Sequence, residues 1–196
     1  MKEQREAWAR EVLARAAGLA PGGLPGRLVF VDETGCNTAM ARTHGRAAPG
    51  ARVPGAVPYG HWHTTTVIGA VRLGGVAAAI TTTGGTTGDV FKAFLEFALV
   101  PALKPGDVVA MDNLSAHHVA GVRERIEAAG ATLLHLPPYS PDLNPIEKMW
   151  SKVKQSLRNA AARTKEALEE AIAQALAAVT EADCIGWFRS CGYAIN

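Results

Sequence analysis

Two short apolar runs, at residues 28–31 and 108–111, each end in an aspartate, and the elements between and after them leave few ways to fold the chain. "RLVFVDE" reads as a buried strand ending in charge. "HTTTVIGAVRL" and "GVAAAITTT" read as two more strands, joined at a Gly74-Gly75 turn as a hairpin. Residues 87–103 place Val90, Phe91, Phe94, Leu95, Ala98 and Leu99 at helical spacing, before Pro105-Gly106 stops them. "DVVAMDN" predicts a fourth strand, residues 116–129 a helix closed by Gly130, and "TLLHL" a fifth strand. Helices are predicted at 144–159, 164–179 and 181–190. Two right-handed crossovers would then set the last two strands beside the first. The expected fold is α/β: a mixed five-stranded sheet in the order 3-2-1-4-5, with helices on both faces. It puts Asp32 and Asp112 at the carboxyl ends of adjacent parallel strands, where α/β proteins place their chemistry.

Outside this frame, residues 2–18 carry Trp8, Val12, Leu13 and Ala16 at helical spacing, and "GLAPGGLPG" breaks the chain as a linker. Residues 35–60, rich in Gly, Pro, Ala and Arg, predict an irregular excursion with a short strand near 38–42. A chain of 196 residues suits one domain with a sizeable core. No apolar run approaches the roughly 18 residues of a membrane span, and the N-terminus lacks the apolar stretch of a signal peptide. The expectation is a cytoplasmic protein without a membrane partner. Cys36, Cys184 and Cys191 show no paired spacing and read as reduced thiols. His61 and His63 share a face if extended, but no third and fourth zinc ligand accompanies them.

Net charge is only +2, so its distribution matters more than its total. Between Leu143 and Lys165 six basic side chains face a single acid, Glu147. On a helical wheel Ile146, Met149, Trp150, Val153 and Leu157 share one arc. The opposite arc holds Glu147 with Lys148, Lys152, Lys154 and Arg158, a basic face suited to a phosphate backbone. "LPPYSPDLNPIEKMW" precedes and opens that helix, and its four prolines restrict φ, fixing where Glu147 points. Asn144-Pro145-Ile146-Glu147 also fits a capping box, in which Glu147 only reaches back to a backbone N–H. Asp112-Asn113 equally suits a plain turn. Three carboxylates are nonetheless the ligands that hard divalent cations take, and two such ions suit phosphodiester cleavage.

"FVDETG" at 30–35, "MDNLSAHH" at 111–118 and "LPPYSPDLNPIEKMWSKVK" at 136–154, with 34 residues between Asp112 and Glu147, resemble the catalytic domain of DDE-type transposases. The resemblance is to the bacterial insertion-sequence group related to the mariner superfamily, and it covers about residues 27–160. It implies a ribonuclease-H-like fold, with Asp32, Asp112 and Glu147 as catalytic residues and as ligands of two divalent ions, Mg²⁺ or Mn²⁺. It implies hydrolysis at transposon ends, then attack of the freed 3′-hydroxyl on target DNA. The implied partners are transposon-end and target DNA and a second copy of the chain. Only 31 residues precede Asp32, fewer than a helix-turn-helix region needs, so a separate DNA-recognition chain or a missing region of that kind is a further expected partner. The expected division is an N-terminal helix and linker (1–26), a catalytic domain (27–160), and C-terminal helices (161–196) packing on the core or on a partner subunit. Expected DNA contacts are Lys148, Lys152, Lys154, Arg158 and His117, the last five residues beyond Asp112. Glu33, on the other side of its strand from Asp32, is left outside the metal site. The alternatives are a structure-selective ribonuclease-H-like nuclease and an inactive DNA-binding or dimerising remnant.

Overall fold

The computed structural model describes residues 2–16, 24–193 and 195. The end of the predicted first helix, at 17–18, and most of the linker after it lie outside those residues. A first helix α1 (Lys2–Ala16) leads to strands β1 (Leu28–Asn37), β2 (Thr64–Arg72) and β3 (Gly75–Thr83). Helix α2 (Gly88–Phe94) runs through a π-helical turn, Leu95–Leu99, into the short α3 (Val100–Ala102). The wider turn comes just before Pro101, which has no N–H to give and crowds the carbonyl four residues back. Strand β4 (Val108–Met111), helix α4 (Val122–Ala128), strand β5 (Thr132–His135) and helices α5 (Pro145–Ala160), α6 (Lys165–Ala177) and α7 (Glu181–Ser190) complete the order.

The five strands form one sheet in the order β3-β2-β1-β4-β5, as expected from the sequence. β1 pairs antiparallel with β2 and parallel with β4, and β4 pairs parallel with β5. Alternation along β1 sorts the core. Leu28 and Phe30 face a layer that includes Trp150, Val153, Leu168, Ile172 and Phe188. Val29 and Val31 face Phe91, Phe94, Leu99 and Ile126. Helices α5, α6 and α7 thus cover one face, and α2 with α4 the other. The C-terminal helices contribute Leu168, Ile172, Cys184 and Phe188 to the same core as β1. α1 joins that layer through Trp8 against Tyr193, with ring centroids 6.3 Å apart.

Three local expectations are corrected. β1 does not end at Asp32 but runs on to Asn37, paired there only with β2, because β4 stops opposite Val31. Residues 38–42 form no strand. The excursion is closed instead at its neck, where the Thr38 N–H donates to the His63 carbonyl (3.1 Å) and the His63 N–H to Thr38 Oγ1 (3.1 Å). The helix expected over 116–129 is split into a 3₁₀ turn, Ser115–His118, and α4. Gly121, at φ +89°, redirects the chain between them in a conformation that side chains disfavour.

Gly69 links the sheet to α5. It lies opposite Asp32 in the β1–β2 register, and a Cβ there would come within 2.7 Å of the Trp150 ring. The missing side chain lets α5 approach the sheet. Gly69→Ala is expected to lower stability by about 1–3 kcal/mol through overpacking. Urea denaturation measures it, and an unchanged midpoint would mean that α5 yields freely.

Candidate active site

Asp32 sits within β1 just where β4 has ended on one side, so the sheet opens beside its carboxylate while β2 still holds its backbone. The side chain shares the α5 face with Leu28 and Phe30 and is 8% exposed. Its Oδ1 accepts a hydrogen bond from the Glu33 N–H, at 2.9 Å. Burial, followed by the negative charges of Glu147, Glu33 and Asp112, pushes its pKa up to about 7; the Glu33 N–H opposes this in part.

Asp112 follows the last residue of β4 and does form the turn that its sequence allows, accepting from the Leu114 N–H at 2.9 Å. It is also clamped from below. His117 Nδ1 lies 2.8 Å from Asp112 Oδ1, and His117 Nε2 lies 3.4 Å from Glu33 Oε2. The hydrogen bond from His117 holds the Asp112 carboxyl below the usual range, burial opposing it. Burial alone would push His117 down, but the carboxylates of Asp112 and Glu33 reverse this and raise it to about 9. The result is an acid–imidazolium–acid row around a buried ring, with Asp112 half exposed at the cleft end and Phe91 against the imidazole at a centroid distance of 4.4 Å.

Glu147 lies in the first turn of α5 and is exposed. The alternative role in a capping box gains no support, because the Asn144 side chain makes no cap hydrogen bond. Asn144 is itself buried, with its Oδ1 unpartnered. The proline-rich entry is fastened at both ends. Asn113 Nδ2 donates to the Leu136 carbonyl (2.7 Å), and the Tyr193 hydroxyl to the Leu143 carbonyl (2.7 Å). Asp32, Asp112 and Glu147 all line one open cleft of about 480 Å³, whose far wall is formed by residues of that proline-rich segment. Among the described residues, no three His, Cys, Asp or Glu side chains stand close enough to hold an ion as they are.

The expected DNA contacts separate. His117 is buried beneath Asp112, with 1% of its surface exposed, so direct contact with a DNA strand is corrected to support of a carboxylate. Lys152 does not stand free either: it bonds to Asp183 and to the Ala178 carbonyl, tying α5 to α7. Lys148 is exposed, and Lys154 and Arg158 are half-buried. Arg158 lines a second cleft with Arg42, His44 and Arg163. Of these, Arg163 already donates to the Thr38 and Met40 carbonyls, each at 3.0 Å. The sequence reading missed Glu33 as a partner of His117. Its signal was available: a charged residue pointing away from Asp32 into an apolar face needs a buried counterpart.

The sheet order, with helices on both faces, is that of a ribonuclease-H-like domain. The chain belongs to the DDE superfamily endonuclease family, whose sequence profile matches residues 27–169. No curated protein sequence matches it. Among solved structures it is similar to the Mos1 transposase paired-end complex with left transposon end, at TM-score 0.73 and 21% identity, covering 96% of this chain and 57% of that one. The pre-cleavage Mos1 transpososome gives 0.71 and 19%, covering 96% and 58%. The catalytic domain of Mos1 mariner transposase gives 0.62 and 16%, covering 97% and 88%. The chain therefore spans a little over half the length of the Mos1 chains in those DNA complexes. No helix among the described residues is long and apolar enough to cross a membrane.

Proposed function

We propose that residues 27–160 form the catalytic domain of a DNA transposase of the bacterial insertion-sequence type, acting in the cytoplasm. The observation that carries this reading is the convergence of Asp32, Asp112 and Glu147, from three separate elements, on one cleft in a chain of the DDE family. The same three side chains would hold two divalent ions, Mg²⁺ or Mn²⁺. The donor set suits hard cations, and Asp32 in particular is a buried carboxylate among acids, with little to compensate its charge. Exposed Glu147 would have to swing inward to complete the set. The chemistry that such a pair supplies is activation of a water and stabilisation of the leaving oxygen. The chain's own part is to fix Asp32 in the β1–β2 ladder, to hold Asp112 from below through His117, and to present Lys148, Lys154 and Arg158 toward a phosphate backbone. The likeness to Mos1 complexes solved with Mn and with Mg supports the choice of metal. Likeness to assemblies on transposon ends supports DNA as partner, with pairing of ends in a homodimer and end recognition by a separate or further helix-turn-helix region.

The test is strand transfer. A pre-cleaved transposon-end duplex and a target plasmid are incubated with the chain in Mg²⁺ or Mn²⁺, beside Asp112→Asn. Joined product is expected from the wild type and a loss of at least ~1,000-fold from the variant, whose amide cannot supply the missing charge. Cleavage without joining would mark a nuclease, and binding without chemistry an inactive remnant.

A further inference from the structure

The segment between β5 and α5 holds an aromatic side chain whose placement the fold does not explain. Pro138 and Tyr139 form the centre of a turn, and Tyr139 takes φ +53°. In a turn with proline at the first central position, a positive φ at the second selects glycine or asparagine, because a Cβ crowds the carbonyl that follows. Among the described residues only Tyr139 and Ala161 combine a side chain with positive φ. Ala161 closes α5, where a left-handed residue is ordinary. Tyr139 closes no helix, and packing does not account for it: the residue is 90% exposed. Backbone strain that the fold does not use points to a use outside the fold.

Its surroundings indicate the use. Tyr139 lines the same cleft as Asp32, Asp112 and Glu147. Pro137, Pro138 and Pro141 flank it and restrict the backbone on both sides, so the direction in which the side chain leaves the main chain is set and less backbone freedom is lost on binding. A rigid aromatic face beside a cleft that receives a DNA strand is a stacking platform, because every base presents a π-face to it. We propose that Tyr139 stacks on a nucleobase of the DNA strand entering the cleft and thereby sets the position of the scissile phosphate against the three carboxylates. This rests on the cleft's being a DNA-cutting site. The proline-rich segment then has two tasks: it orients Glu147 through α5, and it offers the ring that positions what Glu147 helps to cut.

The full chain is mixed, in Ca²⁺, with a duplex whose single-stranded 3′ tail carries 2-aminopurine. Wild type and Tyr139→Phe are expected to quench the probe and bind alike. Tyr139→Asn is expected to lose the quenching and to bind about 10-fold more weakly, the size of one base–aromatic stack. Its thermal midpoint should hold or rise, because asparagine takes the left-handed conformation more easily. Binding and quenching by Tyr139→Asn equal to wild type would overturn the proposal, and so would weaker binding that only follows a lowered midpoint. Metal-dependent cleavage by wild type, alongside unchanged quenching in Tyr139→Asn, sinks the stack and leaves the cutting site standing. Quenching by wild type that never leads to cleavage leaves the stack and removes the cutting site.

Discussion

Asp32→Asn is expected to abolish DNA cleavage and, in the same protein without metal, to raise stability above neutral pH. The two effects share one cause. The Asp32 carboxyl is buried, is held by the Glu33 N–H, and has its pKa pushed up to about 7 by burial and by neighbouring acids. A carboxyl raised from its ordinary value near 4 favours the folded state while it keeps its proton. That contribution is full below about pH 4 and is lost as pH rises through about 7, since the folded state binds the proton more tightly across this window. Wild-type stability should therefore fall between about pH 4 and pH 7, by on the order of 3–4 kcal/mol. Asparagine, which never ionises, should flatten the slope. Urea denaturation at pH 4, 6 and 8 measures this, with Mg²⁺ added at pH 8 as the final arm. Mg²⁺ should return stability to the wild type and not to the variant. Equal pH slopes in the two proteins would mean that Asp32 is better solvated than its surroundings indicate.

His117→Ala is expected to cost about 1–3 kcal/mol near pH 6, the size of a lost hydrogen bond to a charged group, because Asp112 stays half exposed to water. The side chain is fully enclosed between Asp112 and Glu33, and Glu33 has little other exposure to water. The sign again follows from the shift. His117 is raised from 6.5 to about 9, so its contribution is full below about pH 6.5 and fades as pH climbs through 9. The gap between wild type and His117→Ala should narrow accordingly at pH 10. Glu33→Gln and the double variant complete a cycle at pH 6, in which the two side chains should couple by more than ~1 kcal/mol. Independent, additive losses would dissolve the row. Activity should fall in both single variants, because the Asp112 carboxylate loses its support from below.

The sheet order was readable because its evidence is local: apolar runs of strand length, a two-residue hairpin and helical spacing between parallel strands. Asp32 and Asp112 drew notice because each follows a run of apolar residues, and Glu147 because it is the lone acid on a basic helix face. Contacts between elements were not. The stretch "ETGCN" that extends β1 is largely polar, and only its pairing with β2 keeps it in the sheet. Lys152 looked like part of a uniform basic face on the wheel, because a wheel shows one helix and Asp183 lies on another. His117 resembled an exposed residue opening a helix, and only the split at Gly121 turns it under Asp112. Tyr139 passed without notice, since spacing carries no information about the sign of φ.

The acids at the cleft differ in freedom. Asp32 is locked into a strand, Asp112 is gripped by an imidazole, and Glu147 projects from a helix into solvent. With two anvils and one hammer, the proposed centre would need the motion of a single side chain to assemble. On the proposed reading the idle cleft would lack its third ligand, and cutting would wait on that one inward turn.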